Sequence, residues 1–369
     1  MHSGKTGNKE GLTSIAEQLN FYGGKRVLIT GDTGFKGAWL AIWLHHLGAK
    51  VLGYALPPAS KHVQFALAGL DHIITHVDGD VRDFNKLSKT IEDFQPELVF
   101  HLAAQAIVKY SYEEPKLTFD TNVGGSVNIL EAVRNVESIR SMVFITSDKC
   151  YQNKEWIWGY RENDELGGYD PYSCSKAAAE IIFQGYLNSY FESRKNFGVA
   201  TARAGNVIGG GDWAQNRIIP DCMRALQSGQ PIVLRNPAAT RPWQHVLEPL
   251  WGYLLLGIRL WESPKKFTGS WNFGPPTGSG LTVEDLVKLI IQCWGQGEYR
   301  VHMDEGAHHE ARLLQLNTDK ARMELHWRPR WDAYQTIEET VRWYKNVYEG
   351  NKAVEMTRSQ IGKFAGEAI

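Results

Sequence analysis

The sequence predicts an α/β protein: a doubly wound parallel sheet followed by a smaller C-terminal α/β lobe. Three observations predict it. Short apolar runs of strand character alternate with segments of helical period through residues 21–203. No tight hairpin signal joins two such runs, so each strand reaches the next through a helix, as a parallel sheet requires. From about residue 204 the alternation fades and Gly, Pro, Trp and Arg become frequent, which places a second lobe over 204–350, with some segments returning to the sheet.

The elements follow in order. "KRVLITG" is a buried strand ending in glycine, and "GAWLAIWLHHLGA" is a helix closed by Gly48. "KVLGYAL" and "ITHVDGDV" supply the second and third strands, and "DFNKLSKTIEDF" is a polar-faced helix. "PELVFHLAA" and "SMVFITS" are the fourth and fifth strands, with the helix "TNVGGSVNILEAVRNV" between them. "SKAAAEIIFQGYLNSYFESR" is a long helix leading to the sixth strand, "FGVATARAGNVIG". In the second lobe "LTVEDLVKLIIQCWG" and "AYQTIEETVRWYKNVYEG" read as helices. Residues 1–20 and 351–369 read as polar tails, the latter frayed.

Composition narrows the function. With 43% hydrophobic and 22% charged residues, the chain is of globular type and long enough for two packed cores. Lys and Arg (40) nearly cancel Asp and Glu (41), and no dense basic run occurs, which argues against nucleic-acid and membrane partners. Cys150, Cys174, Cys222 and Cys293 are scattered without metal-ligand spacing or a disulfide framework. The pair His308–His309 has no further ligands nearby, so no metal site is expected. The N-terminal stretch lacks the apolar core of a signal peptide, and no apolar run reaches membrane-spanning length, so the chain reads as cytoplasmic.

Two motifs carry chemistry. "TGDTGFKG" places Gly31, Gly34 and Gly37 three apart between the first strand and the first helix. Unpaired N–H groups at such a helix start receive a pyrophosphate, and glycine permits the tight turn and the close approach. Lys36, inside the loop, either meets phosphate charge or is solvated. The acid that normally holds the adenosine ribose about 20 residues on is missing, because no Asp or Glu lies between Gly37 and Asp71. That leaves NAD against NADP open at strand two and predicts a weak grip on the cofactor. The second motif, "PYSCSK", gives Tyr172 and Lys176 on one helical face. An ammonium beside a phenol lowers the phenol's pKa, so that it can take a proton from a sugar hydroxyl. Just after the fifth strand, "FITSDKCYQ" sets Asp148 beside Lys149. Alone, this pair reads either as a solvated charged turn or as an acid and a base at a site.

The residues Gly31/Gly34/Gly37, "GDVRD" (79–83), "HLAAQ" (101–105), Asn122, Ser147 and Tyr172/Lys176 together resemble the extended short-chain dehydrogenase/reductase family that acts on nucleotide sugars. The resemblance runs from about residue 21 to 350. It implies a Rossmann-type NAD-binding domain over 21–203 and a mainly nucleotide-sugar-binding lobe over 204–350. It further implies Asp80 and Val81 at the adenine. Phe35, Leu102, Ala103, Ala104, Asn122 and Thr146 would lie along NAD, with Gln105 on the substrate side. Homodimers or higher homo-oligomers are the family habit.

Within that family, the strand-end motif of the dTDP-glucose dehydratases reads Thr-Asp-Glu. Here Ser147-Asp148-Lys149 keeps the acid and puts lysine in the place of the base. With "TGFKG" and "GNVIGGGDWA", this is similar to the CDP-glucose 4,6-dehydratase branch. The resemblance implies CDP-D-glucose as substrate and a redox-neutral loss of water, in which carbon 4 is oxidised, water leaves across carbons 5 and 6, and hydride returns to carbon 6. The product would feed deoxysugar synthesis for surface polysaccharides. Asp148 would be the acid at the 6-hydroxyl and Lys149 the base at carbon 5. Such a lysine needs a pKa of roughly 7–8, and a protonated aspartate needs desolvation. Arg217 in "AQNRIIPD", Arg241 in "TRPWQHV" and Arg312 in "EARLLQLN" are candidate clamps for the diphosphate. By resemblance Arg241 and Arg312 hold diphosphate and ribose, Asn206 is the phosphate-side asparagine, and Arg217 lies near the base. Each arginine also reads as a surface ion pair worth at most ~1 kcal/mol. Two rivals remain. A nucleotide-sugar 4-epimerase needs Tyr172 and Lys176 but no pair at 148–149, and a non-catalytic NAD-sensing regulator tends to lose the Tyr–Lys pair.

Overall fold

The six apolar runs form six strands: β1 (Arg26–Thr30), β2 (Lys50–Ala55), β3 (Thr75–Asp78), β4 (Leu98–His101), β5 (Ser141–Ile145) and β6 (Gly198–Ala204). The structure is a computed structural model that describes residues 14–215, 217–276, 278–302 and 313–367. A seventh strand, Gly269–Phe273, returns from the second lobe and pairs in parallel with β6. The sheet order is Gly269–Phe273, β6, β5, β4, β1, β2, β3, and every pairing is parallel.

Both faces of the sheet are covered, which is why its strands read as continuous apolar runs. Successive side chains point to opposite faces. Val27, Ile29, Val143 and Ile145 join one core, while Leu28, Val99, Met142 and Phe144 join the other. The chain order reverses at β1, which lies between β2 and β4. A crevice outside the carboxyl ends of the strands is expected at such a switch point.

The polar tails need correction at both described ends. Residues 353–365 are not frayed but form the helix Ala353–Ala365. Thr357, Ile361, Phe364 and Ala365 are buried on one face, and Phe364 meets Trp43 and Trp331 edge-on with ring centroids 5.9 and 5.2 Å apart. The helical stripe was hidden by the many polar residues between its apolar positions. At the other end, Ser14 and Glu17 form a capping box on the short helix Ile15–Leu19, whose Ile15 and Leu19 are buried. In the second lobe three short strand pairs border the crevice: Val207–Ile208 with Gln244–His245, Thr240–Arg241 with Leu281–Thr282, and Ile232–Leu234 with Tyr299–Val301. Among the described residues no helix is long and apolar enough to cross a membrane, and no cluster of His, Cys, Asp and Glu could hold a metal ion.

Candidate active site

A cleft of about 2540 Å³ opens at the carboxyl ends of the strands, lined from Gly31 and Asp80 at one end to Arg235 and Arg241 at the other. Pockets for one drug-sized ligand are roughly 300–1,000 Å³, so this cleft has room for two large ligands side by side.

At its first end the glycine loop is held by contact. Gly31 has φ of 82°, and a Cβ there would lie 2.7 Å from the Ala103 nitrogen. A Cβ on Gly37 would lie 2.1 Å from the Gly31 carbonyl oxygen. The helix Phe35–His46 starts at Gly34, and no side chain caps it. Its first N–H groups face a cradle that any larger residue would fill, which fits a pyrophosphate. Asp32 is fully buried beneath the loop, and its Oδ2 lies 2.7 Å from His76 Nδ1. That hydrogen bond raises the His76 pKa, although burial of the ring opposes it.

The adenosine end is looser. β2 runs out into Leu56, which is 57% exposed, with no acid beside it. Asp80 lines the cleft, but its carboxylate takes a two-pronged bond from Arg82, with Nε at 2.9 Å and Nη2 at 2.5 Å. Arg82 lines the cleft as well, so a cation as well as an acid stands at this end, both in "GDVRD" rather than on β2. Val81 is buried against Gly125.

Leu102, Ala103 and Ala104 line the cleft as expected positions on the β4 exit, and Phe35 also lines it. Gln105 and Thr146 also line the cleft, although their side chains, like that of Asn122, bond within the protein. Asn122 is buried, accepts from the Gln105 backbone N–H at 2.8 Å and donates to Ser175 Oγ at 2.8 Å, so it clamps the "HLAAQ" loop to the helix Pro171–Tyr186. The Gln105 side chain folds back on Ile107 and Thr118. The Thr146 hydroxyl donates to Glu180 at 2.5 Å.

The candidate catalytic residues meet in the middle of the cleft. Asp170 caps the helix Pro171–Tyr186, which carries Tyr172 and Lys176 in its first two turns. After β5 the Ser147 hydroxyl caps a short 3-10 turn, Asp148–Cys150. Ser147, Asp148, Tyr172 and Lys176 are buried, and Lys149 is partly buried and lines the cleft. Ser147 Oγ donates to Asp148 Oδ1 at 2.9 Å and accepts from the Lys149 backbone N–H at 3.3 Å. Burial raises the Asp148 pKa against the pull of Lys149 and Lys36, the desolvation a protonated acid needs. Burial brings Lys176 down to about 8. For Tyr172 the expected drop is not found: burial pushes the phenol up to about 12, and the groups drawing it down are Ser147 and Arg217 rather than Lys176.

Lys36 departs from its expected place. Its ammonium lies 3.5 Å from the Tyr253 hydroxyl and feels Lys176, Arg217 and Asp148, so it reaches the chemical centre. Burial first, then those two cations, lower its pKa to about 8.

At the far end, Asn206 and Arg241 line the cleft, and Arg241 is buried with Nη1 2.9 Å from the Thr240 carbonyl. Arg217 holds Asp212 at 3.0 Å and acts electrostatically on Tyr172 and Lys36, so it stands beside the candidate catalytic residues. Arg235 lines the same end and was not singled out from sequence. Arg312 and His308–His309 lie outside the described residues.

Residues 28–255 match the model of the family described as GDP-mannose 4,6 dehydratase. The chain belongs to that family. A second comparison agrees: a CDP-glucose 4,6-dehydratase of Salmonella typhimurium is 46% identical over 349 residues, covering 94% of this chain and 97% of that protein. Two solved structures share the fold. One is an epimerase from Methanothermobacter thermautotrophicus (TM-score 0.79, 24% identity, 91% of this chain and 96% of that one). The other is a dTDP-glucose 4,6-dehydratase from Streptomyces venezuelae with NAD and TYD bound (TM-score 0.74, 23% identity, 89% and 99%).

In this GDP-mannose 4,6 dehydratase family member, the Asp148–Cys150 turn stands on a buried ion pair that sequence reading missed. Glu180 accepts from Arg203 Nε and Nη2, both at 2.8 Å, and from the Thr201 and Thr146 hydroxyls. Arg203 also donates to the Tyr151 hydroxyl at 2.7 Å, just past the turn. The signal was present: Glu180 lies one helical turn beyond Lys176, and Arg203 interrupts an apolar strand, where a charge must have a partner. Tyr253 gave no such signal. It lies on the helix Leu247–Glu262, apolar almost all round, and reads as core.

Proposed function

We propose that the protein is a hydro-lyase that converts CDP-D-glucose to CDP-4-dehydro-6-deoxy-D-glucose with NAD as cofactor. The observation that carries this reading is the buried Asp148, hydrogen-bonded by Ser147 and with its pKa raised by burial, beside Lys149 in the same cleft as Tyr172. An epimerase has no use for a second acid and base at that position.

Gly31, Gly34, Gly37 and Leu102–Ala104 would hold NAD, which when bound supplies the acceptor and donor of one hydride. Tyr172 takes the proton of the sugar 4-hydroxyl. A ketone at carbon 4 acidifies the carbon 5 proton, which Lys149 removes and later returns. Asp148 protonates the 6-hydroxyl as it departs as water. Arg241 and Arg235 meet the negative diphosphate at the far end.

Incubation with NAD and a panel of CDP-, dTDP-, UDP- and GDP-hexoses, followed by mass, tests the reading. Loss of water from CDP-glucose is expected. An isomerised hexose of unchanged mass would instead identify an epimerase.

A further inference from the structure

Resting on that reading, Asp148 gives its proton to the departing hydroxyl and is left as a carboxylate among buried groups. A buried carboxylate needs hydrogen-bond donors. Ser147 Oγ supplies one, to Oδ1 at 2.9 Å. The other oxygen, Oδ2, lies close to Gly205, where a Cβ would stand 2.9 Å from it.

Beside this carboxylate is a small chamber of about 10 Å³. Its walls are Asp148, Gln315, Leu316, three prolines and four glycines, Gly205 among them. The volume is that of a single water. Prolines bring no N–H, and neither glycine nor leucine has a polar side-chain atom. Among the side chains of the walls, only Asp148 and Gln315 can form hydrogen bonds. Gln315 Oε1 is buried and has no hydrogen-bond partner among the described residues, a costly state for an acceptor. Its backbone is fixed, because the Tyr160 N–H donates to the Gln315 carbonyl at 2.8 Å and Leu316 bridges Tyr160 in parallel.

We propose that this chamber is the site of one bound water, which donates to Gln315 Oε1 and to Asp148 Oδ2, and that Gln315 is a positioning residue that supports the spent acid through that water.

Water suits the place because it has two donors and both side-chain oxygens accept. While Asp148 is protonated, the water accepts from its O–H and still donates to Gln315. Its bond to the carboxylate is the stronger of the two, because charge-assisted hydrogen bonds are. The water therefore favours release of the proton and opposes burial, which holds the Asp148 pKa up. The charged and titratable groups acting on Asp148 are Lys149 and Cys150 on its own turn, Lys36 from the helix Phe35–His46, Tyr172 from the helix Pro171–Tyr186 and Tyr253 from the helix Leu247–Glu262. Gln315 adds no charge to that set, so replacing it changes the hydration of the acid and not the charge around it.

Crystals of the protein with NAD, diffracting well enough to show ordered water, test the site directly. One water within hydrogen-bond distance of both Asp148 Oδ2 and Gln315 Oε1 is expected. It should be lost in Gln315→Met, which keeps the length of the side chain without its oxygen. A dry chamber in the wild type would overturn the proposal. Infrared difference spectra across pH, with Asp148→Asn to identify the band, should place the Asp148 pKa in Gln315→Met about one pH unit or more above that of the wild type. An unchanged value would overturn the support of the acid by Gln315. In turnover, Gln315→Met should slow water loss from CDP-glucose roughly tenfold, with KM and the rate of deuterium entry at carbon 5 kept. Equal slowing of water loss and deuterium entry would mean that Gln315 only holds the fold. The crystal and infrared readings need no activity. Failure of the wild type to remove water from CDP-glucose is therefore a separate result, and it would sink the dehydratase reading itself.

Discussion

The two ends of the dinucleotide half of the cleft are built to different standards. Around the Asp148–Cys150 turn, Ser147, Asp148, Tyr172 and Lys176 are buried, and the turn stands on the Arg203–Glu180 pair. At the adenosine end, Leu56 is exposed, no acid follows β2, and Asp80 is occupied by its neighbour Arg82. The difference teaches where rigidity matters in a redox-neutral reaction. Proton donors and acceptors must be fixed within hydrogen-bond reach for the chemistry, whereas the adenosine end lies away from the reacting atoms and tolerates a looser fit, provided the cofactor stays seated until its hydride returns.

The largest expected effect breaks the rigid end. Tyr172→Phe removes the base for the first oxidation and should lower turnover roughly 10²–10⁴-fold, with substrate affinity by calorimetry largely kept. More than about a tenth of wild-type activity would contradict the assignment. Next, Arg203→Met strands Glu180 without its partner in the core. Denaturant unfolding should show a loss of about 3–5 kcal/mol, and a change below about 1 kcal/mol would mean that the pair is not what supports the turn.

The loose end should be improvable. Purified protein is expected to carry NAD below one equivalent and to respond to added NAD; a full complement surviving gel filtration would count against this account. Leu56→Asp places an acid at the end of β2, where a carboxylate can bond the ribose hydroxyls. A charged hydrogen bond of about 1.5 kcal/mol or more should tighten NAD at least about tenfold by calorimetry. Unchanged affinity would show that the weak grip lies elsewhere.

The smallest effect concerns Asp32 and His76 beneath the glycine loop. The His76 pKa is raised in the folded protein, chiefly by its hydrogen bond to Asp32. Its contribution to stability is therefore fully present below the unfolded value of about 6.5 and is lost as pH rises through the folded value. His76→Gln should cost more stability at pH about 6 than at pH about 9. A cost that grows with pH would reverse the assignment.

How much of this was legible in the sequence depends on how local each requirement is. Gly31 and Gly37 were legible because a Cβ at either would collide with backbone. Tyr172 and Lys176 were legible because four residues on a helix bring side chains together. The partners of Asn122 were not legible, because its motif position did not reveal that Gln105 and Ser175 would take its amide. Lys36 and Tyr253 meet across 217 residues of sequence, and no period or spacing predicts that contact. The final helix was missed because its buried positions are spread among polar ones.

The central claim is that Asp148 and Lys149 perform separate proton transfers. It is tested most directly by following deuterium at carbon 5 of CDP-glucose in heavy water, with NAD present, in Lys149→Met and Asp148→Asn. The account predicts oxidation at carbon 4 without deuterium entry in Lys149→Met, and deuterium entry with slowed water loss in Asp148→Asn. Deuterium entering at the wild-type rate in Lys149→Met at saturating substrate would contradict it and leave Lys149 as an electrostatic contact for the substrate.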